Sequence, residues 1–215
     1  MRGDKKRRYK IIGTLYLILV LILIYQIEFL ITNWFGYTSV ECMLKSVLLT
    51  ESVFKSIIVV FFGPFLHTTA SHLVDNLGLL ILAGGYVEYK LDLKKLYGIY
   101  IIAGWFGLLV AKVIAIPAVG ASASVAGLEA NAAMLSLYYF CLNVYRISRD
   151  EERIFNRKWF HVIPLLWFVP KTIGYFTRLN LQDGTSTSHV FGSLMGLIII
   201  IGGYLIWNSN LSTKY

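Results

Sequence analysis

Charge is scarce in this chain. Lys, Arg, Asp and Glu make up only 15% of its 215 residues, against 57% hydrophobic residues. Soluble domains carry roughly a quarter charged residues, so the composition excludes an ordinary water-soluble globule. Cysteine is nearly absent: Cys42 and Cys141 are the two present, and no Cys-x-x-Cys spacing occurs. A disulfide scaffold and a cysteine-based zinc site are both excluded. Internal repeats and low-complexity segments are missing too, and the polar ends are too short to build a separate soluble domain.

Long apolar runs are what the chain has instead. Six are read as membrane-spanning helices: Ile11–Ile31, His72–Tyr86, Leu96–Ile116, Ala121–Leu142, Trp159–Phe176 and His189–Trp207. A run of about twenty apolar residues crosses a hydrocarbon core of roughly 30 Å as helix. The second run is short, and Pro164, Pro170 and Lys171 interrupt the fifth. The longest connection, Thr32 to Ala70, contains Ser46–Phe65, where apolar residues mix with Glu51, Lys55 and Pro64. Ile57–Phe65 is too short to span alone, so this first loop is expected in the membrane interface or within one leaflet. The alternative is a seventh span. The expected fold is all-α: a polytopic six-helix membrane domain over residues 11–207 with a membrane-associated first loop. A basic N-terminus (1–10) and a short C-terminus (208–215) flank it.

The net charge of +8 also suits a nucleic-acid binder, but its distribution does not. Arg2–Lys10, Lys90–Lys95 and Arg146–Lys158 fall on one side of a six-span arrangement. Lys45, Lys55 and Arg178 fall on the other, with Lys171 near that end. This positive-inside asymmetry puts both termini in the cytoplasm, makes the lipid bilayer the partner and requires no nucleic acid. A seventh span would break it. Arg2–Lys10 before an apolar run also looks like a signal peptide. The apolar part, however, outlasts a usual signal core and no small-residue cleavage site comes after it, so a retained first helix is expected. The two cysteines then lie on opposite sides of the membrane and cannot pair.

Two polar residues at the mouths of apolar helices carry the chemistry. Ser122, in Gly120-Ala-Ser122-Ala-Ser124, begins the fourth run, and His189 is expected to open the last. A hydroxyl and an imidazole are a nucleophile and its base if the helices meet, and polar groups at membrane depth mark functional sites. The pair points to a serine hydrolase working within a bilayer. Pro117 ends one helix and Gly120 permits a tight turn, so Ser122 sits in a first helical turn, where free N–H groups and the helix dipole favour an oxyanion. His72 and Asn76, four residues apart, share a helix face and offer two donors for the same oxyanion; satisfying each other is the structural alternative. Gly192 and Gly196 form a small-residue stripe after His189, matched by Ala123, Ala126, Gly127, Ala130 and Ala133. Close packing of the two stripes would bring His189 to Ser122. Ser124 offers a second hydroxyl on roughly the opposite face, and the spacing to Gly120 and Gly127-Leu128 favours Ser122.

Gly120-Ala-Ser122, His72-Leu-Val-Asp-Asn76 and, with slightly different glycine spacing, the His189-Gly192-Gly196 stretch resemble the motifs of the rhomboid intramembrane serine proteases. His67, and Gly84-Gly85 followed by Glu88, add to the likeness, which covers Phe65 to Leu205. The resemblance implies a rhomboid-like bundle with a Ser–His dyad and no acidic third member, metal or cofactor. Ser122 would attack the scissile carbonyl. His189 would take its proton and return it to the leaving amine. His72, Asn76 and the Ser122 backbone N–H would hold the oxyanion. The implied partners are transmembrane protein substrates, cut near the outer surface.

The chain departs from the family pattern at three points. Ala123 stands where glycine usually comes after the serine. Ala126 stands where an aromatic residue usually packs on the histidine. A Trp-Arg pair is missing from the first loop. A catalytically inactive rhomboid-like protein that binds transmembrane helices is therefore the alternative function. A small transporter using Lys112, Glu129 and histidines is a third, although its usual repeats and paired broken helices are not seen. Glu129, two turns beyond Ser122, is expected to make a structural contact, with Lys112 or Asn131 as partner.

Overall fold

The computed structural model describes residues 11–48, 61–114, 118, 120–148 and 161–212. The basic N-terminus, Pro117, most of Ser46–Phe65 and most of Arg146–Lys158 lie outside them. Every regular element among the described residues is helical. The order is α1 (Ile12–Trp34), α2 (Val40–Leu48), a 3-10 turn (Gly63–Phe65), α3 (Ala70–Lys90), α4 (Leu93–Ile114), α5 (Ser122–Ser148), α6 (Val162–Thr177) and α7 (Gly184–Ser212). Among the described residues, five helices (α1, α3, α4, α5 and α7) are long and apolar enough to cross a membrane, and α6 is a shorter apolar helix. The molecule is an integral, multi-pass membrane protein.

Three boundaries differ from the sequence reading. The second run is part of a longer helix, α3, which contains a π-helical turn at Leu80–Gly84. Such a turn inserts an extra residue and rotates the C-terminal part of the helix relative to the N-terminal part. The fifth run is not broken by its prolines. Pro164 falls in the first turn of α6, where backbone N–H groups have no intrahelical partner, and the helix continues through Pro170. The last helix begins at Gly184, five residues before His189. Asp183 accepts from Thr185 N (3.0 Å) and Ser186 N (3.2 Å), so a carboxylate cap makes a helical turn of a polar stretch.

The centre of the bundle is α5. Of its membrane-length window 61% is buried, against 22% for the peripheral α1. Lipid tails are as apolar as leucine, so helices in a membrane associate through close van der Waals contact and interhelical hydrogen bonds. Both are present. A Cβ on Gly192 would collide with the Ala123 carbonyl, and one on Gly196 with the Gly127 carbonyl. The two small-residue stripes therefore interlock. On α4, Gly107 seats against Ser188 and Ala123 in the same way. Ser193 Oγ donates to the Ala126 carbonyl (3.3 Å), and Asn131 Nδ2 donates to the Gly196 carbonyl (3.2 Å), joining α5 to α7.

Helix α1 packs Leu17 and Leu21 into the core, and its N-terminal end is tied to α3. Glu88, in the last turns of α3, accepts from Gly13 N (2.9 Å), Thr14 N (2.8 Å) and Thr14 Oγ1 (2.9 Å). These are first-turn donors of α1, which has no capping side chain of its own. The nine-residue α2 is too short to span and lays Val40, Met43 and Leu44 against Tyr25, Tyr37 and Leu66.

Candidate active site

Ser122 is the first residue of α5. Gly120 before it has φ 142°, a conformation that side chains resist. A Cβ there would also lie 3.0 Å from His72 Cε1 and 3.7 Å from Ser122 Oγ. The His72 ring and the Ser122 hydroxyl thus converge on the same glycine. His72 stands in the first turn of α3, which Thr69 caps by accepting from His72 N (3.1 Å). One turn on, Asn76 is buried, and its Nδ2 has no hydrogen-bond partner among the described residues. His72 and Asn76 therefore do not neutralise that donor between them.

His189 lies in the second turn of α7 and not at its opening, because the Asp183 cap starts the helix earlier. Gly192, one turn further, rests on Ala123, the neighbour of Ser122. This contact sets the His189 and Ser122 turns side by side. His189 Nε2 is buried and has no hydrogen-bond partner among the described residues, Ser122 included. Catalytic hydrogen bonds are often open in the absence of substrate. The two serines differ clearly. Ser122 is half-buried at the mouth of α5, whereas Ser124 is fully buried with its hydroxyl against Gly104 of α4.

Ala126 brings no aromatic ring to His189. Tyr175 of α6 does: its ring lies 5.1 Å from the imidazole, centroid to centroid, tilted by 54°. Its hydroxyl donates to Glu129 Oε2 (2.6 Å), and Lys171 Nζ donates to Glu129 Oε1 (2.6 Å). Glu129 thus pairs with Lys171 and Tyr175, which share one face of α6, and with neither Lys112 nor Asn131. The reason is direction: Glu129 faces α6, Lys112 sits in the last turn of α4, and Asn131 faces α7. Between α6 and the start of α7 a cavity of about 710 Å³ opens beside His189. Lys171, Tyr175, Arg178, Asp183 and Ser186 line it with His189.

The segment before α3 is bonded to α4 and to the residue that precedes Ser122. The fully buried Tyr100 donates to the Pro64 carbonyl (2.6 Å), and Ala121 N donates to the Leu66 carbonyl (3.2 Å). The backbone N of His67 approaches both oxygens of Glu28 (3.3 and 3.4 Å). His67 is fully enclosed, and neither ring nitrogen has a partner among the described residues. Burial, with the nearby His72, holds its imidazole down at about 4. Sequence reasoning gives no role to Glu28 or Tyr100. A carboxylate inside the first apolar run is the signal that finds Glu28. No local signal finds Tyr100. Among the described residues, no three His, Cys, Asp or Glu side chains gather as a metal site.

A multi-pass helical bundle with serine, histidine and amide groups gathered at the mouths of α3, α5 and α7 defines a class of membrane protein. The match to known families agrees: a family model described as the rhomboid domain covers residues 55–205. The chain belongs to the rhomboid family, which includes intramembrane serine proteases and inactive members. A comparison with curated proteins gives no match.

Proposed function

We propose that this rhomboid protein is an intramembrane serine endopeptidase that cuts transmembrane helices by a Ser122–His189 dyad. The observation that carries the reading is the seating of Gly192 on Ala123. It brings the His189 turn of α7 beside the Ser122 turn of α5, and the buried His189 Nε2 has no partner among the described residues. In this reading His189 removes the Ser122 proton as the hydroxyl attacks the scissile carbonyl, then protonates the leaving amine. The oxyanion is held by the Ser122 N–H at the start of α5, by Asn76 Nδ2 and by the His72 ring. Asn76 Nδ2 has no partner among the described residues and is available for that role.

The basic stretches put both termini in the cytoplasm, and the site then opens to the external side. Water for deacylation enters through the same polar mouths. Scissile bonds are expected where the substrate helix is weak, because a peptide must leave its helical hydrogen bonds before attack.

The test is cleavage of a reporter transmembrane substrate in liposomes. Wild type is expected to cut, Ser122→Ala and His189→Ala to lose activity, and Ser124→Ala to keep it. Survival of activity in Ser122→Ala would remove Ser122 as nucleophile. A wild type that neither cuts several substrates nor reacts with a fluorophosphonate probe would instead be an inactive helix-binding member of the family.

A further inference from the structure

We infer that Tyr175 of α6 is the positioning residue of His189, and that Glu129, neutralised by Lys171, holds Tyr175 in place. The inference rests on the dyad reading for its catalytic meaning. A base in a dyad has no acidic neighbour to orient it. Its ring must be fixed by packing, and small misplacements of a reacting group are expensive. The residue four positions after Ser122 is Ala126, which has no ring to offer. The aromatic surface against His189 comes from another helix, as the 5.1 Å ring contact with Tyr175.

A tyrosine on a lipid-facing helix would swing freely unless its far end were tied. Here that end is tied: the hydroxyl donates at 2.6 Å to Glu129, a carboxylate with no exposed surface. The carboxylate is in turn neutralised by Lys171 at 2.6 Å, one turn before Tyr175 on the same helix. Lys171 and Tyr175 thus grip both oxygens of one carboxylate, and α6 is clamped to α5 about two turns below Ser122. The Tyr175 ring bridges the distance from that clamp up to His189. Orientation of the base is therefore conditional on α6 being seated on α5, a dependence that the two dyad helices alone do not have.

The experiment pairs kinetics with a readout independent of cleavage. Tyr175→Leu, Tyr175→Phe and wild type are compared in liposomes for kcat and KM. The His189 ring protons are followed by NMR in the Ser122→Ala background. Tyr175→Leu is expected to lower kcat by roughly tenfold to a hundredfold with KM within about twofold, the pattern of a misoriented base. It should also shift the His189 ring resonances as the tyrosine ring current is lost. Tyr175→Phe keeps the ring but unties it from Glu129, and is expected to lower kcat by an intermediate amount, roughly threefold to tenfold, with a smaller shift of the His189 resonances. Unchanged kcat in a folded Tyr175→Leu protein, or an effect on KM alone, overturns the inference. If Tyr175→Leu does not fold, Tyr175→Phe decides: a fall in kcat with shifted His189 resonances sustains the inference, and wild-type kcat with unshifted resonances overturns it. If wild type cuts nothing, the dyad reading has failed, and the resonances decide separately. A shift on Tyr175→Leu keeps Tyr175 as the residue that orients His189, and no shift overturns it.

Discussion

Glu129 and Lys171 form an ion pair of 2.6 Å between α5 and α6, with the carboxylate wholly enclosed and the ammonium side chain 31% exposed. Breaking such a pair from one side leaves an uncompensated charge at membrane depth. Lys171→Met is expected to destabilise the protein by about 3 kcal/mol, read as a fall in thermal midpoint in detergent. Removing both charges, as Lys171→Met with Glu129→Gln, should recover much of that loss. A double variant no better than the single one would mean that the pair is not a coupled unit.

The contact of Gly192 with the Ala123 carbonyl leaves no room for a methyl group, and both elements are main chain. Gly192→Ala should destabilise by about 3 kcal/mol and separate the dyad turns. Gly202, on the same helix, has open space around its Cα. Gly202→Ala should be neutral or slightly stabilising, since alanine is favoured over glycine in a helix by about 1 kcal/mol. Equal behaviour of the two variants in a thermal melt would remove the close approach as a determinant.

Acid sensitivity should come partly from His67. Its folded value of about 4 lies below the ordinary 6.5 because burial opposes the charged ring. Above pH 6.5 both folded and unfolded states carry it neutral, and its full contribution to stability is present. As pH falls from 6.5 towards 4 the unfolded chain takes up a proton that the folded chain refuses, and stability drops by roughly 3 kcal/mol. His67→Leu should flatten this limb. Thermal midpoints measured between pH 7.5 and 4.5 for both proteins would check it, and parallel curves would refute it.

Glu88→Ala should release the N-terminus of α1. Three hydrogen bonds to one carboxylate are lost, at an expected cost of about 2 kcal/mol. The loss should appear as a lower thermal midpoint while the α5–α7 contact is unaffected. No change in midpoint would mean that water replaces the cap without penalty.

Much of the bundle was legible in the sequence because the bilayer makes it so. Length and apolarity select spans, and small residues such as Gly192 and Gly196 select a close face. Ser122 and Gly120 were legible for a local reason: a turn, a positive φ and a helix start all fall within three residues. The relationships that escaped are those that depend on direction in three dimensions. Glu129 faces α6 and not Lys112, and nothing in one sequence states which way a helix is rotated. Tyr175 looks like any aromatic of an apolar run until its ring is found against His189. The π-turn in α3 has no side-chain signature, and the start of α7 was hidden because Thr185-Ser-Thr-Ser188 reads as loop unless Asp183 is taken as its cap.

The capping of α1 by Glu88 has a consequence for assembly. The acceptor for the first donors of α1 is supplied 75 positions later in the chain. A chain inserted from its N-terminus therefore places α1 in the bilayer before its cap exists. Until α3 is made, those N–H groups must stay with interfacial water, which keeps that end of α1 at the membrane surface. Arrival of Glu88 supplies the missing acceptors and ties this end of α1 to the last turn of α3. The first helix thus waits for α3 to complete its N-terminal turn, and the order of synthesis becomes an order of docking.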